Sequence, residues 1–464
     1  MDRSRGLTDE TAAATHHPRH RRTRSVFRTV LANVAHLMSG SACAAAMGVL
    51  TLAILARSLG PASLGLLVMV DAYGRVIDQL IRLETWQCIV RYGAAAVEER
   101  DGERLRRLIK FGLMMDLTGA TCAAGVAFVL VPVAARWLDW DATTMEWARI
   151  ASLALLLRAS STPTGILQLF GRFPVIAWSD AIAAGTRLVG TAAVWLLDGP
   201  IVAYLMLMIF TPGVQRVVLS VLSWRELKRR GYGRFLSVPL SGVTKENEGV
   251  WSLIWSANGT VLVRKSTQEL DALIVGSLLG PAALGDYHIA RRLGQAIAKL
   301  GATLQQATFP ELARAWTRRS LADFIRLIKQ VELTTAAVGF VTLLIAALNA
   351  ELIVRLVAGR DFSDAVTPLV IQMCAVFLFL CGSTLRPALM SMGLQLQMFA
   401  AVAASAIIFY IVMLVAVPRL GIAGASLAHL AFNATWLPVA AWAFARGLRN
   451  ASQARQAHPD PVRA

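Results

Sequence analysis

The sequence predicts an all-α polytopic membrane protein of about twelve transmembrane helices arranged as two pseudo-symmetric six-helix bundles. Three observations lead there: a composition too apolar for water, a series of apolar stretches each long enough to cross hydrocarbon, and an internal repeat that divides the series in two.

Of the 464 residues, 56% are hydrophobic and only 16% charged, with a mean hydropathy of +0.55. A soluble chain could not bury that much apolar surface. The net charge of +17 would point to nucleic acid in a soluble protein. Here the basic residues fall between apolar runs, so no nucleic-acid partner is expected. Cys43, Cys88, Cys122, Cys374 and Cys381 lie in or beside apolar segments without metal or disulfide spacing. Arg19, Arg21, Arg22 and Arg24 precede an apolar run, as in a signal peptide, but the run from Arg28 to Leu59 is too long and lacks a cleavage context.

Stretches of the roughly 20 residues a bilayer requires occur near 29–58, 64–90, 109–135, 146–168, 173–197 and 200–224, then near 249–279, 284–307, 330–357, 364–391, 396–418 and 421–446. Lys and Arg crowd into the N-terminal tail and the 91–110, 225–248 and 310–329 loops, the last including Arg318 and Arg319. The intervening connections, such as Asp139 to Asp141 and Asp198 to Pro200, are short and poor in base. The positive-inside rule then places both termini in the cytoplasm.

The repeat reads ILARSLGPASLG from Ile54 to Gly65 and IVGSLLGPAALG from Ile274 to Gly285, an offset of 220 residues that continues at Gly74/Gly294, Ile77/Ile297 and Leu80/Leu300. Gly60 and Gly280 suit helix C-termini, and Pro61 and Pro281 suit the turn into the next helix. The motif is structural, not a phosphate loop. The expected organisation is a basic disordered tail at 1–28, bundles at 29–224 and 249–446, a basic cytoplasmic linker at 225–248 and a cytoplasmic tail at 447–464.

Ionisable groups inside a membrane are functional candidates because leaving them unpaired in lipid is costly. The second span carries Asp71, Arg75, Asp78 and Arg82 within an arc of roughly 60°. They either neutralise one another between packed helices or line a wet cavity. The eighth span places His288, Arg291, Gln295, Lys299 and Gln306 within roughly 80°, with Arg292 beside them. Two duplicated helices with polar faces favour a shared cavity of net positive charge. Arg264, Lys265, Glu269 and Asp271 interrupt the seventh span, where Arg264 either faces the cavity or snorkels to the interface. Asp116, Arg158, Asp180, Arg187 and Arg386 are scattered candidates, with Asp180 and Arg187 on one face. The motifs of nucleotide pumps, zinc proteases and serine hydrolases are absent, and no cofactor is called for.

The segment LARSLGPASLG, a second helix running to Arg91 and Ala94 before a basic loop, DALIVGSLLGPAALGDYHIARRLGQ (Asp271 to Gln295) and FPELARAW (Phe309 to Trp316) resemble the bacterial oligosaccharide flippases of the Wzx type. Their MOP superfamily also holds the multidrug/toxic-compound (MATE) exporters and lipid II flippases such as MurJ. The resemblance runs from about 28 to 446. It implies a MATE/MurJ-like fold in the bacterial inner membrane, flipping an undecaprenyl-pyrophosphate-linked oligosaccharide by alternating access for lipopolysaccharide or exopolysaccharide synthesis. It also implies partners among the polymerase and glycosyltransferases of that pathway. Substrate binding is carried to Arg75, Arg291, Arg292, Lys299 and Arg264, and coupling or gating to Asp71, Asp78 and Arg82. His288, Gln295, Asp180 and Arg187 are further cavity candidates. The driving force is open between H+, Na+ and the membrane potential. No helical pair follows the twelfth, unlike in lipid II flippases, so the polyprenyl tail is expected to lie in the bilayer through a lateral gap. Two alternatives stand: a cation-coupled drug exporter, and from another class a membrane glycan polymerase or ligase, which would need a large external loop.

Overall fold

The computed structural model describes the backbone of 19–159, 161–317 and 320–457. Side chains are described from 40 to 453, except 160, 256, 257, 260, 300, 303, 304, 306, 307, 310, 311 and 317–319. The residues before 19, Arg318, Arg319 and the side chain of Gln306 therefore lie outside the described residues.

Among the described residues fourteen α-helices follow one another: α1 (Arg19–Ile81), α2 (Trp86–Glu98), α3 (Gly102–Leu138), α4 (Ala142–Ala154), α5 (Ser161–Leu169), α6 (Phe173–Leu196) and α7 (Ile201–Arg229). After the linker come α8 (Val243–Glu246), α9 (Val250–Thr317), α10 (Leu321–Val357), α11 (Val366–Cys381), α12 (Leu385–Ser391), α13 (Gln395–Leu420) and α14 (Ile422–Ala457). Eight helical stretches among the described residues are long and apolar enough to cross a membrane. Two of them, Gly40–Ile81 and Val261–Lys299, are each divided by one glycine, and α6 and α14 supply further rods of 24 and 36 residues. The twelve expected spans are thus present as rods. Helix α1 already begins at Arg19, within the stretch expected to be a tail, and α14 runs on to Ala457.

The dividing glycines are conformational twins. Gly60 has φ 71° and ψ 175°, and Gly280 has φ 84° and ψ 176°, a region that side chains strongly disfavour. Each is followed by a proline that opens the next rod. The two turns pack against each other reciprocally. A Cβ on Gly65 would lie 1.7 Å from the Pro281 carbonyl oxygen, and one on Gly285 would lie 2.1 Å from that of Pro61. The repeat is therefore a close contact between the halves. One buried apolar cluster crosses it, from Leu64, Leu67 and Met69 to Val275, Leu284 and Tyr287.

Three spans are interrupted, which the apolar pattern does not disclose. The second pauses between Ile81 and Trp86, the fourth between α4 and α5, and the tenth between α11 and α12. Free backbone donors at such breaks are intolerable in a membrane unless satisfied. In the first half the buried Asp116 of α3 accepts the Thr162 N–H at 2.7 Å and the Thr85 hydroxyl at 3.2 Å. In the second half Glu332 of α10 accepts the Thr384 N–H at 3.1 Å and the Thr384 hydroxyl. Each half thus has an acid from its third span capping the break in its fourth. Asp116, one of the scattered candidates in the sequence, caps these breaks.

Outside the spans, Asp141 caps α4 by accepting the Thr144 N–H at 2.9 Å, and hydrogen bonding from the Thr144 side chain and then its N–H holds the carboxyl below the usual range. The periphery is apolar, with Val129, Leu333, Leu348 and Ile407 all well exposed. Such a surface fits a lipid solvent.

Candidate functional site

The polar faces of the second and eighth spans meet in two adjoining chambers. The first, about 390 Å³, is lined from α1 by Asp71, Arg75, Asp78 and Arg82, with Glu84 and Arg158 from the breaks, Arg187 from α6, and Lys265, Glu269 and Arg292 from α9. The second, about 370 Å³, is mostly apolar, walled by α1 residues such as Val49, Leu52 and Leu55, with Thr211 and Gln215 of α7 and His288, Gln295 and Lys299 of α9. Arg187 and Arg292 line both chambers.

Four carboxylates and six basic groups line the first chamber. All four acids are paired. Asp71 is held by Arg75 and by Arg158 at 2.5 Å, and Asp78 by Arg82. Glu84 pairs with Lys265 at 2.7 Å, and Glu269 with Arg75 at 2.7 Å. Two bases remain. Arg187 and Arg292, one from each half, have no ion-pair partner among the described residues; Arg292 Nε lies 3.4 Å from His288 Nε2. An arginine keeps its charge even when buried and offers a fork of donors, so the pair forms a place for an anion.

Several links cross between the halves. Arg75–Glu269 and Lys265–Glu84 do so as ion pairs, and Asn258 of α9 receives the Glu84 N–H at 2.7 Å and donates to the Glu84 carbonyl at 3.2 Å. The break in the second span is thus clasped by α9. Lys299 and Asp180 stand 3.9 Å apart across the apolar chamber's rim, and Gln215 also donates to Asp180.

Arg291 and Arg264 lie elsewhere than the sequence suggests. Arg291 is buried with its Nε 2.8 Å from Asp271 Oδ2 and its other end on the Gln268 carbonyl. Asp271, fully buried, also accepts from the Tyr287 hydroxyl at 2.7 Å and contacts His429 Nε2 at 2.9 Å. This is a neutralising cluster inside the second half. Arg264 and Arg386 line a third, smaller cavity there. The pairing that sequence spacing could show was Asp71–Arg75 and Asp78–Arg82, both i,i+4. The roles of Glu84, Glu269, Arg158 and His429 depend on contacts between distant segments.

A polysaccharide biosynthesis protein family model matches residues 30–316. The inner membrane protein YghQ of Escherichia coli (strain K12) is 27% identical over 339 residues, covering 73% of this chain and 95% of that protein. Among solved structures, the lipid II flippase MurJ in an inward closed conformation superposes with a TM-score of 0.64 at 13% identity, covering 90% of each chain. An inward-facing MATE family multidrug resistance transporter of the MOP superfamily gives 0.61 at 15% identity over 91% of this chain and 96% of that one. A MOP superfamily transporter from Pyrococcus furiosus gives 0.60 at 14% identity, covering 90% of this chain and 95% of that one. The fold is that of the MOP transporters, and the chain belongs to the polysaccharide biosynthesis protein family.

Proposed function

We propose that the protein flips undecaprenyl-pyrophosphate-linked oligosaccharide repeat units from the cytoplasmic to the outer leaflet of the bacterial inner membrane. One observation carries the reading: an apolar chamber and a charged chamber meet at Arg187 and Arg292, which come from opposite halves. A lipid-linked sugar has the same division, with an apolar chain, an anionic link and a hydroxyl-rich head group. Pyrophosphate is a fitting partner for two guanidiniums. Because they belong to different halves, an anion between them favours the arrangement in which both reach it, which couples binding to the relative position of the bundles.

The family supports a role in polysaccharide synthesis, and the name of the Escherichia coli relative supports the inner membrane. Basic loops support cytoplasmic termini. The pairing of every acid in the charged chamber weighs against a free carboxylate of the sort a cation-antiport drug exporter would use. In cells lacking the protein, lipid-linked repeat units should accumulate where a lectin added to spheroplasts does not reach them. Undiminished lectin labelling would overturn the assignment.

A further inference from the structure

The second half encloses its own cavity, about 170 Å³, between α9, α11, α12, α13 and α14. It is smaller than either central chamber and shares Gln268 with the charged one and Gln295 with the apolar one. Its chemistry differs from both.

Arg264, Arg291, Arg386 and His429 line it, and no acidic residue does among the described residues. Of these, Arg291 is already neutralised by Asp271, which also contacts His429, whereas Arg264 has a buried Nε without a partner. Arg264 and Arg386, enclosed together with no ion-pair partner among the described residues, create a strong demand for an anion. Charge alone would suit any small anion, but the remaining wall is more selective. Gln372 is buried and its amide oxygen has no partner, although it lines the cavity. Asn433 and Gln268 add further amides beside the buried ring of Trp436. Amides both donate and accept, as vicinal hydroxyls require, and an indole face packs against ring C–H groups. A lipid tail would leave the charges unmet. A bare inorganic anion would leave the amides and the indole unused.

We propose that this cavity is a sugar subsite for one carboxylate-bearing hexose, its carboxylate on Arg264 and Arg386 and its ring against Trp436. This rests on the transport reading above and deepens it: the cargo's head group contains a uronic acid close to the lipid link, because the subsite opens beside the chamber that holds Arg292.

The test uses the full-length chain in detergent micelles and saturation-transfer NMR, with methyl β-D-glucuronide, methyl β-D-glucoside and inorganic pyrophosphate as separate probes. The glucuronide should receive saturation and the glucoside should not. Arg386→Gln should lower the glucuronide signal about tenfold, as loss of a charge-assisted contact implies, whereas Arg386→Lys retains most of it and Arg292→Gln leaves it intact. Arg264→Gln gives the same comparison if Arg386→Gln does not fold. Equal binding of glucoside, no binding of glucuronide, or glucuronide binding indifferent to both Gln variants would overturn the subsite. The pyrophosphate arm is independent: failure of Arg292→Gln to weaken it counts against the central anion site and leaves the sugar result standing.

Discussion

Gly65 and Gly285 hold equivalent places in the two halves, and each lies against the carbonyl of the proline that opens the other half's rod. No side chain fits at either position without moving backbone. Gly65→Ala and Gly285→Ala should therefore each cost about 1–3 kcal/mol or more by forced separation of the halves. Thermal unfolding in detergent reads this directly, with Gly125→Ala as the control, since a Cβ there meets nothing within 4 Å. Equal melting of all three variants would show that the halves do not meet at this turn.

Arg187 and Arg292 are the two bases in the charged chamber without an ion-pair partner among the described residues. Replacing either with Gln should reduce export about tenfold to a hundredfold, the range for a lost charged hydrogen bond, with normal amounts of protein in the membrane. Polysaccharide output normalised to protein level measures it. Full output from both variants excludes them as an anion site.

Arg291 should behave differently although it is a neighbour of Arg292 in sequence. Its removal leaves Asp271 buried and short of its cation, a situation that costs about 3–5 kcal/mol. Arg291→Ala is therefore expected to lower the amount of folded protein, read as protein level in the membrane. A stable Arg291→Ala protein with no transport would instead return this residue to the substrate path.

The clasp between Glu84 and Lys265 joins the broken second span to α9. Glu84→Lys or Lys265→Glu alone sets like charges against each other and should reduce export about tenfold, whereas the double reversal restores most of it. Export by the double variant no better than by either single one would show that this pair does not link the halves functionally.

The spans and their duplication were legible in the sequence because both are written in local terms: apolar runs of bilayer length, and a Gly-Pro pair recurring at a constant offset. The intrahelical pairs Asp71–Arg75 and Asp78–Arg82 were legible for the same reason, being one turn apart. The breaks were not, because Thr162 and Thr384 sit in stretches whose mean hydropathy is that of a membrane span, and their caps come from Asp116 and Glu332 on other helices. Spacing placed Arg291 and Arg292 on adjoining faces, but only the position of Asp271 and Tyr287 around Arg291 assigns one to a buried cluster and leaves the other in the chamber.

Two guanidiniums with no ion-pair partner among the described residues also make the protein responsive to voltage. An elementary charge moved through the full field of a 100 mV membrane potential is worth about 2.3 kcal/mol, so even partial displacement of Arg187 and Arg292 is driven by an interior-negative potential. An anion seated between them would cancel that charge, and its release would restore it. A pyrophosphate jump on protein-loaded supported membranes should therefore give a transient current in the native protein and none in the Arg187→Gln/Arg292→Gln double variant. The charge of these two arginines would then supply the restoring force that returns the unloaded transporter to face the cytoplasm.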